Sequence, residues 1–196
     1  DIFGANVYRG PSFQDLFQVV HDKLGLPVLL TEFGADAYHS LELREDQRSQ
    51  AGYLLENWQE IYLQSKGNGA LGNALGGLTF QFSDGWWKSG SDDKLEIHDT
   101  NASWSNGGYL HDFAHGSRNM NEEWFGICAK GPTNADGRYN LEPRLAYDVL
   151  NQVHQLNPLS PEIGPEEIRN YFSNISATMI DSFPSATNSA DETLQQ

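Results

Sequence analysis

The chain has 196 residues, enough to bury one good core, and a formal net charge of −15. That charge excludes nucleic acid and anionic membrane surfaces as partners, because both are bound by clustered Lys and Arg. Cys128 is the only cysteine, which excludes an internal disulfide and a cysteine-based metal site.

The first predicted elements form a strand–helix–strand unit. Residues 2–8 are typical of a short strand, and the apolar spacing that follows predicts a helix with Ser12 as its N-cap. Gly25 ends this helix. The apolar run 28–30 then predicts a strand that is covered on both faces. Units of this kind are almost always parallel and right-handed.

Three further helices and a third strand are predicted downstream. An apolar stripe over 45–64 predicts an amphipathic helix, and residues 78–83 predict a strand after a glycine-rich segment. Pro143 fits the first position of another helix, and residues 165–174 predict one more short helix. The polar residues 185–196 resemble a linker or tail.

Residues 84–123 form a long segment between the third strand and the next helix. The segment is rich in Gly, Asn, Ser, Asp and Trp, and it shows little periodicity. Loops of this length in compact domains are usually functional or disordered. The aromatic residues of this one favour a folded, functional loop.

The order of the elements is typical of about three consecutive units of an α/β protein. Three parallel strands alone would leave both sheet edges unpaired, which folded proteins normally avoid. The chain also begins directly on strand-like sequence, without Met. We therefore expect it to be part of a longer protein, with further strands before Asp1.

One carboxylate stands at the end of the second predicted strand. Glu32 follows the apolar run, and Gly34 turns the chain two residues later. The carboxyl end of a parallel strand is where barrel enzymes place their catalytic groups. An alternative is that Glu32 caps the following turn or pairs with Arg9 or Arg44.

Three segments share motifs with one group of enzymes. They read GANVYRG (4–10), LTEFGADA (30–37) and GGLTFQFSD (76–84). Together they resemble strands six, seven and eight of a retaining (β/α)8 glycoside hydrolase. The clan includes β-galactosidase and β-glucuronidase relatives, cellulase-like enzymes and the fungal β-1,3-glucanosyltransferases. The resemblance implies a partial TIM barrel over 1–157, followed by a short helix and polar tail over 158–196.

The same resemblance assigns catalytic roles to Glu32 and Tyr8. Glu32 corresponds to the nucleophile, which must lie about 5–5.5 Å from a second carboxyl that protonates the leaving oxygen. Tyr8 corresponds to a tyrosine that hydrogen-bonds the nucleophile and keeps it ionised and aimed. Packing of Tyr8 on the next helix is the alternative.

Four polar residues are candidates for substrate binding. Asn6 shares a strand face with Tyr8, so it either lines the barrel interior or supports the site. Arg9 contacts either the substrate or a carboxylate at the rim. Gln81 and Asp84 are placed to hydrogen-bond sugar hydroxyls, although Asp84 equally fits a turn cap.

Two tryptophans follow the third strand. Trp86 and Trp87 offer indole faces on which the apolar C–H faces of a sugar ring stack. An alternative is that one of them anchors the long loop while the other binds the sugar. Trp104 and Trp124 are weaker candidates.

The acid/base of the related enzymes has no counterpart in the expected position. It is a Glu, usually after an Asn, at the end of strand four. Asn121 and Glu122 form that dipeptide but follow strand eight, so chain order excludes them. We expect the acid/base on an N-terminal portion outside this chain, and we expect the chain alone to be inactive.

The resemblance implies a retaining β-glycoside hydrolase or transglycosidase acting on a β-linked glucan or oligosaccharide. Its partners are an oligosaccharide or polysaccharide substrate and the N-terminal barrel portion. No cofactor and no metal are expected, since the acidic segment 92–99 lacks the spacing of a calcium loop. The assignment favours an extracellular or cell-surface location. The alternatives are a non-catalytic carbohydrate-binding or scaffold segment, or an unrelated α/β domain.

Overall fold

The computed structural model describes residues 1–65, 71–85, 88 and 100–184. In chain order its strands and helices are β1 (Phe3–Asn6), α1 (Leu16–Leu24), β2 (Val28–Phe33), β3 (Tyr38–His39), β4 (Arg44–Glu45), α2 (Gln47–Leu63), β5 (Ala74–Thr79), β6 (Cys128–Thr133), β7 (Tyr139–Pro143), α3 (Leu145–Val153) and α4 (Pro165–Ile175). A 3₁₀ turn covers Glu122–Trp124, and a π-helical turn covers Ser176–Ile180. In these ranges no helix is both long and apolar enough to cross a bilayer.

The main sheet is parallel and has the strand order β1-β2-β5. Helix α1 connects β1 to β2, and α2 lies between β2 and β5, so the predicted strand–helix–strand units are present. Two antiparallel pairs, β3–β4 and β6–β7, lie outside this sheet. The predicted α/β class with a parallel sheet is therefore confirmed.

All four helices pack with the middle strand in one apolar core. Its fully buried side chains include Phe17 of α1, Leu30 of β2, Leu54 of α2, Val149 of α3 and Phe172 of α4. Helix α4 and the turn that follows it pack against α2. The packed unit thus continues past residue 157, through Ile180.

The opposite face of the sheet is only partly covered, contrary to the expectation for β2. Val28 and Leu30 point into the core and are fully buried, whereas Thr31 is exposed. Successive side chains of a strand point to opposite faces, and the helices cover only the face of Leu30. In the described part of the chain, β1 and β5 are both edge strands.

One predicted boundary of the first helix differs from the structure. Helix α1 begins at Leu16 and does not have Ser12 as its N-cap. Gln14 adopts a left-handed φ of 58°, which interrupts the helical backbone, and the backbone N–H of Gln14 donates to the Ser12 hydroxyl. Gly25 ends the helix in the left-handed conformation, as predicted. Helix α2 matches the predicted amphipathic helix, with Asp46 as its N-cap.

The third strand of the sheet begins earlier than predicted. Strand β5 starts at Ala74 and includes Gly76 and Gly77, which the sequence assigns to a connecting segment. A Cβ at Gly77 would lie 2.6 Å from the Phe33 ring. Glycine is therefore required here by close packing against β2 rather than by a turn.

Strands β6 and β7 were not predicted, and they change the start of the next helix. Gly137, in the left-handed conformation, closes the turn that joins them. Pro143 ends β7, so α3 begins at Leu145 and Pro143 is not its first residue.

Candidate active site

A β-bulge orients Glu32 at the carboxyl end of β2. The partner of Ala5 is Leu30, but the partner of Asn6 is Glu32, so Thr31 is an extra residue in β2. A bulge redirects the side chains that follow it, and bulges are frequent beside active sites. Glu32 is half-buried here, directly opposite Asn6.

Both carboxylate oxygens of Glu32 accept a hydrogen bond from β1 or its C-terminal extension. The Tyr8 hydroxyl donates to Oε1 at 2.5 Å, and Asn6 Nδ2 donates to Oε2 at 3.2 Å. Thr31 Oγ1 in turn donates to Asn6 Oδ1 at 2.8 Å, which fixes the orientation of the amide. The two sequence candidates on β1 therefore contact the predicted nucleophile directly.

Arg9 and Arg44, the two alternative ion-pair partners of Glu32, pair with other carboxylates. Arg9 Nη1 lies 3.1 Å from Asp15 Oδ1 and donates to the Phe13 carbonyl. Arg44 pairs with Glu42. Arg9 thus forms a rim ion pair.

Tyr8 is a hydrogen-bond donor that does not ionise near neutral pH. Burial raises the pKa of Tyr8, and the hydrogen bond to the Glu32 carboxylate raises this pKa further. The ring is held edge-on by Trp104 and Phe125, with centroid distances of 6.1 and 5.6 Å. The phenol is consequently fixed in position while it donates to Glu32.

Replacing Tyr8 with phenylalanine tests the contribution of this hydrogen bond. The ring contacts remain, and only the donor to Glu32 is lost. A hydrogen bond to a charged group contributes enough that, in the protein that contains this chain, we expect kcat for the glycoside hydrolysis implied by the resemblance to fall roughly 10- to 100-fold. Steady-state kinetics measure this, and an unchanged kcat would assign Tyr8 to packing alone.

A small cavity of about 50 Å³ lies in front of Glu32. Its lining residues come from the segment after β1, from β2 and from the segments that follow β5: Tyr8, Glu32, Phe80, Lys88, Trp104, Glu122 and Phe125. Four of them, Phe80, Lys88, Glu122 and Phe125, are not among the predicted site residues, and Trp104 is one of the weaker candidates. No periodicity or motif in the sequence indicates that Lys88, Trp104 and Glu122 lie next to Glu32. They reach it because of the path that the long loop takes.

The described part of the long loop is folded, as predicted. Asn119 Nδ2 donates to the Asn106 and Tyr109 carbonyls and to Asp112, while Asn106 Nδ2 donates to the Tyr8 carbonyl at 3.0 Å. A Cβ on Gly10 would lie 1.9 Å from the Gly108 carbonyl oxygen, so the loop approaches the end of β1 closely. These contacts bring Trp104 next to Tyr8.

Hydrogen bonds also attach the segment around Glu122 to the end of β2. The backbone N–H of Asn121 donates to Asp36 Oδ2 at 2.8 Å, and the N–H of Ala37 donates to the Trp124 carbonyl at 2.9 Å. Gln50 Nε2 of α2 donates to carbonyls of both segments, at Ala35 and Gly126. Glu32 and Glu122 are therefore held on one hydrogen-bonded framework.

Asp36, which is part of this framework, gives the fold a pH dependence. Its carboxyl is fully buried, and Oδ1 has no hydrogen-bond partner among the described residues. Burial raises the pKa of Asp36 well above its ordinary value, and the carboxylates of Asp112 and Asp46 add to the rise. A raised pKa stabilises the fold below the unfolded-state pKa of about 3.9, and this stabilisation is lost as pH rises through the folded-state pKa.

We expect Asp36→Asn to remove this pH dependence. The wild type should lose unfolding free energy relative to the variant as pH rises from 4 to 7, by at most about 1.4 kcal/mol per pH unit. Urea unfolding at several pH values measures the difference, with the exposed Asp136→Asn as control. A difference that stays constant with pH would contradict the assignment.

Two predicted substrate-binding residues lie elsewhere. Asp84 is fully buried, and Arg144 donates to both of its carboxylate oxygens at 2.5 and 2.8 Å, so it cannot contact sugar hydroxyls as predicted. The Gln81 side chain does not line the cavity; its Nε2 is buried without a hydrogen-bond partner in the described ranges. Trp86 and Trp87 lie outside the described residues.

Trp124 does not line the cavity either. Its ring packs on Tyr38 at a centroid distance of 4.8 Å, and the Arg144 guanidinium lies 5.5 Å from it. Its role in the described structure is packing beside the Asp84–Arg144 pair.

No protein-family model and no curated protein matches this chain. Among solved structures, it is similar to the β-glucuronidase of Ruminococcus gnavus, with 17% sequence identity and a TM-score of 0.39. The similarity covers 80% of this chain and 22% of that protein. The chain thus spans about a fifth of that protein's length, and a likeness of this size carries no argument about activity.

Proposed function

We propose that this chain carries the nucleophile part of a retaining β-glycosidase or transglycosidase that acts on a β-linked glucan or oligosaccharide. One observation carries the proposal. Glu32 stands at the carboxyl end of a parallel strand, faces a cavity, and has each oxygen positioned by a hydrogen bond from Tyr8 or Asn6. A carboxylate held in this way is prepared for attack on an anomeric carbon.

In the proposed reaction Glu32 attacks the anomeric carbon as the glycosidic bond breaks. The leaving oxygen takes a proton from a second carboxylic acid. Water or another sugar, deprotonated by that second group, then displaces Glu32 and restores the β configuration. Trp104, whose indole lines the cavity, supplies an apolar surface beside the sugar.

The second carboxyl belongs, in this proposal, to an N-terminal portion of the same barrel. The edge strands β1 and β5 support further strand pairing, because open edges are normally covered. Ile2, Leu75 and Leu78 are exposed apolar side chains at these two strands. A groove of about 460 Å³ also lies beside β5, between Leu78 and Leu150 of α3. We propose that the rest of a (β/α)8 barrel covers these surfaces.

The stereochemistry of hydrolysis tests the proposed function. The protein that contains this chain is incubated with an aryl β-glucoside, and proton NMR identifies the first anomer released. We expect the β anomer, which then mutarotates. The α anomer as first product would exclude a covalent Glu32 intermediate. Sugar binding without any turnover would favour the non-catalytic carbohydrate-binding alternative.

A further inference from the structure

A second carboxylate shares the cavity with Glu32. Glu122 lines the cavity, and its side chain is held at both oxygens: Trp104 Nε1 donates to Oε1 at 3.0 Å, and Lys88 Nζ lies 3.1 Å from Oε2. These contacts fix the direction of the carboxylate. The 3₁₀ turn Glu122–Trp124 is itself attached to the end of β2 through Asn121 and Asp36.

The two partners of the Glu122 carboxylate are both proton donors. An ammonium group and an indole N–H both donate to it, and neither accepts a proton from it. A general acid must carry a proton towards the leaving oxygen, so these partners do not suit Glu122 to that step. Its role has to be found in binding.

Lys88 is the cation of the cavity lining, and Glu122 engages it. The ammonium also lies 5.2 Å from the centroid of the Phe80 ring, so two neighbours hold it in place. Among the described residues, the cavity lining contains two carboxylates, Glu32 and Glu122, and one ammonium group, that of Lys88. The formal charges of these three groups sum to −1.

We infer that Glu122 is a specificity-determining residue that makes this site select neutral glycosides and reject uronides. The inference rests on the proposed function. A uronide carboxylate entering the cavity would meet two like charges, and the ammonium that could compensate for it is already paired. Like charges brought together at an interface are strongly disfavoured, whereas a neutral hydroxyl can donate to either carboxylate.

The size of the cavity is consistent with a role in selecting one substituent of the sugar. A volume of about 50 Å³ holds a hydroxymethyl or hydroxyl group, not a whole pyranose ring. The substituent of the sugar that enters the cavity is therefore the one that contacts Glu122 and Lys88.

The test compares two substrates that differ at one carbon, 4-nitrophenyl β-glucoside and 4-nitrophenyl β-glucuronide. The wild-type protein should prefer the glucoside. In Glu122→Gln the Lys88 ammonium loses its partner, so we expect kcat/KM for glucuronide relative to glucoside to rise by about 10-fold or more. Adding Lys88→Met to that variant should abolish the gain, because the unpaired cation is then absent.

Glu166→Gln is the matched control. It makes the same chemical change on the exposed first turn of α4 and should leave the ratio unchanged. A wild-type preference for glucuronide, or a ratio that Glu122→Gln does not move, would overturn the inference while leaving the glycosidase proposal intact.

Binding isotherms make the test independent of turnover. Methyl β-glucoside and methyl β-glucuronide are titrated into the wild type and Glu122→Gln. If no glycoside is hydrolysed, the proposed function fails. In that case the inference still requires that Glu122→Gln raise the affinity for methyl β-glucuronide relative to the affinity for methyl β-glucoside. An unshifted ratio, or no binding of either sugar, would overturn it as well.

Discussion

Glu32→Gln is expected to lower kcat/KM for β-glycoside hydrolysis by at least about 10³-fold, because an amide cannot form the glycosyl ester. The replacement keeps the shape of the side chain. Tyr8 can still donate to the amide oxygen that replaces Oε1, so the fold and the cavity should be preserved. Initial rates with an aryl β-glucoside, together with the unfolding midpoint, separate a catalytic loss from a loss of stability.

The matched control for this variant is Glu56→Gln. Glu56 is an exposed glutamate of α2 that does not line the cavity in front of Glu32, and its replacement should leave the rate unchanged. Wild-type turnover by Glu32→Gln would remove the nucleophile assignment. Retained sugar binding in such a variant would point to a carbohydrate-binding segment instead.

The largest expected loss of stability comes from Arg144→Met. The guanidinium is 1% exposed and donates to Asp84, to Glu45 and to the Gly126 carbonyl. Removing it takes the guanidinium away from both oxygens of the buried Asp84 carboxylate. Loss of one partner of a buried pair typically costs about 3–5 kcal/mol, and we expect the unfolding free energy to fall by this amount. Urea denaturation measures it.

A second replacement identifies the source of that loss. Adding Asp84→Asn to Arg144→Met removes the buried negative charge while an amide oxygen can still accept from the Gly126 N–H. The double variant should therefore regain more than half of the lost stability. Arg138→Met, an exposed arginine near the β6–β7 turn, is the control and should have little effect. No recovery in the double variant would show that lost packing, and not the charge, is responsible.

The parts of the fold that were predictable are those encoded in local patterns. The apolar stripe of α2 and the glycine that ends α1 depend only on neighbouring residues, and both were predicted. The start of β5 was not predictable in this way. Gly76 and Gly77 disfavour a strand locally, and the packing against Phe33 that requires Gly77 is a tertiary contact.

The hairpin of β6 and β7 has one local signal in the sequence. Asp136 and Gly137 form a dipeptide that is typical of hairpin turns, and Gly137 adopts the left-handed conformation there. The polar residues on both sides conceal the strands, because β7 is mostly exposed and only Cys128 of β6 is buried. A strand that buries neither face need not alternate apolar and polar residues, so this pattern does not detect it.

The residues of the candidate site also separate into those that local patterns predict and those that only tertiary contacts bring together. Tyr8, Asn6 and Glu32 follow from two strand ends, so family resemblance and strand periodicity were sufficient to group them. Glu122 was excluded by its position in the chain, yet the long loop returns it to the cavity. Asp84 was misassigned because its partner Arg144 lies sixty residues away, and no local pattern reveals that pairing.

Covalent trapping identifies which carboxylate of the protein attacks the anomeric carbon. The protein that contains this chain is treated with a 2-deoxy-2-fluoro-β-glucosyl fluoride, which slows release of the glycosyl-enzyme, and its peptides are analysed by mass spectrometry. We expect one added fluoroglucosyl group on the peptide that contains Glu32, and none in Glu32→Gln. A label on another carboxylate, or continued turnover of glycosides by an enzyme that never becomes labelled, would contradict it.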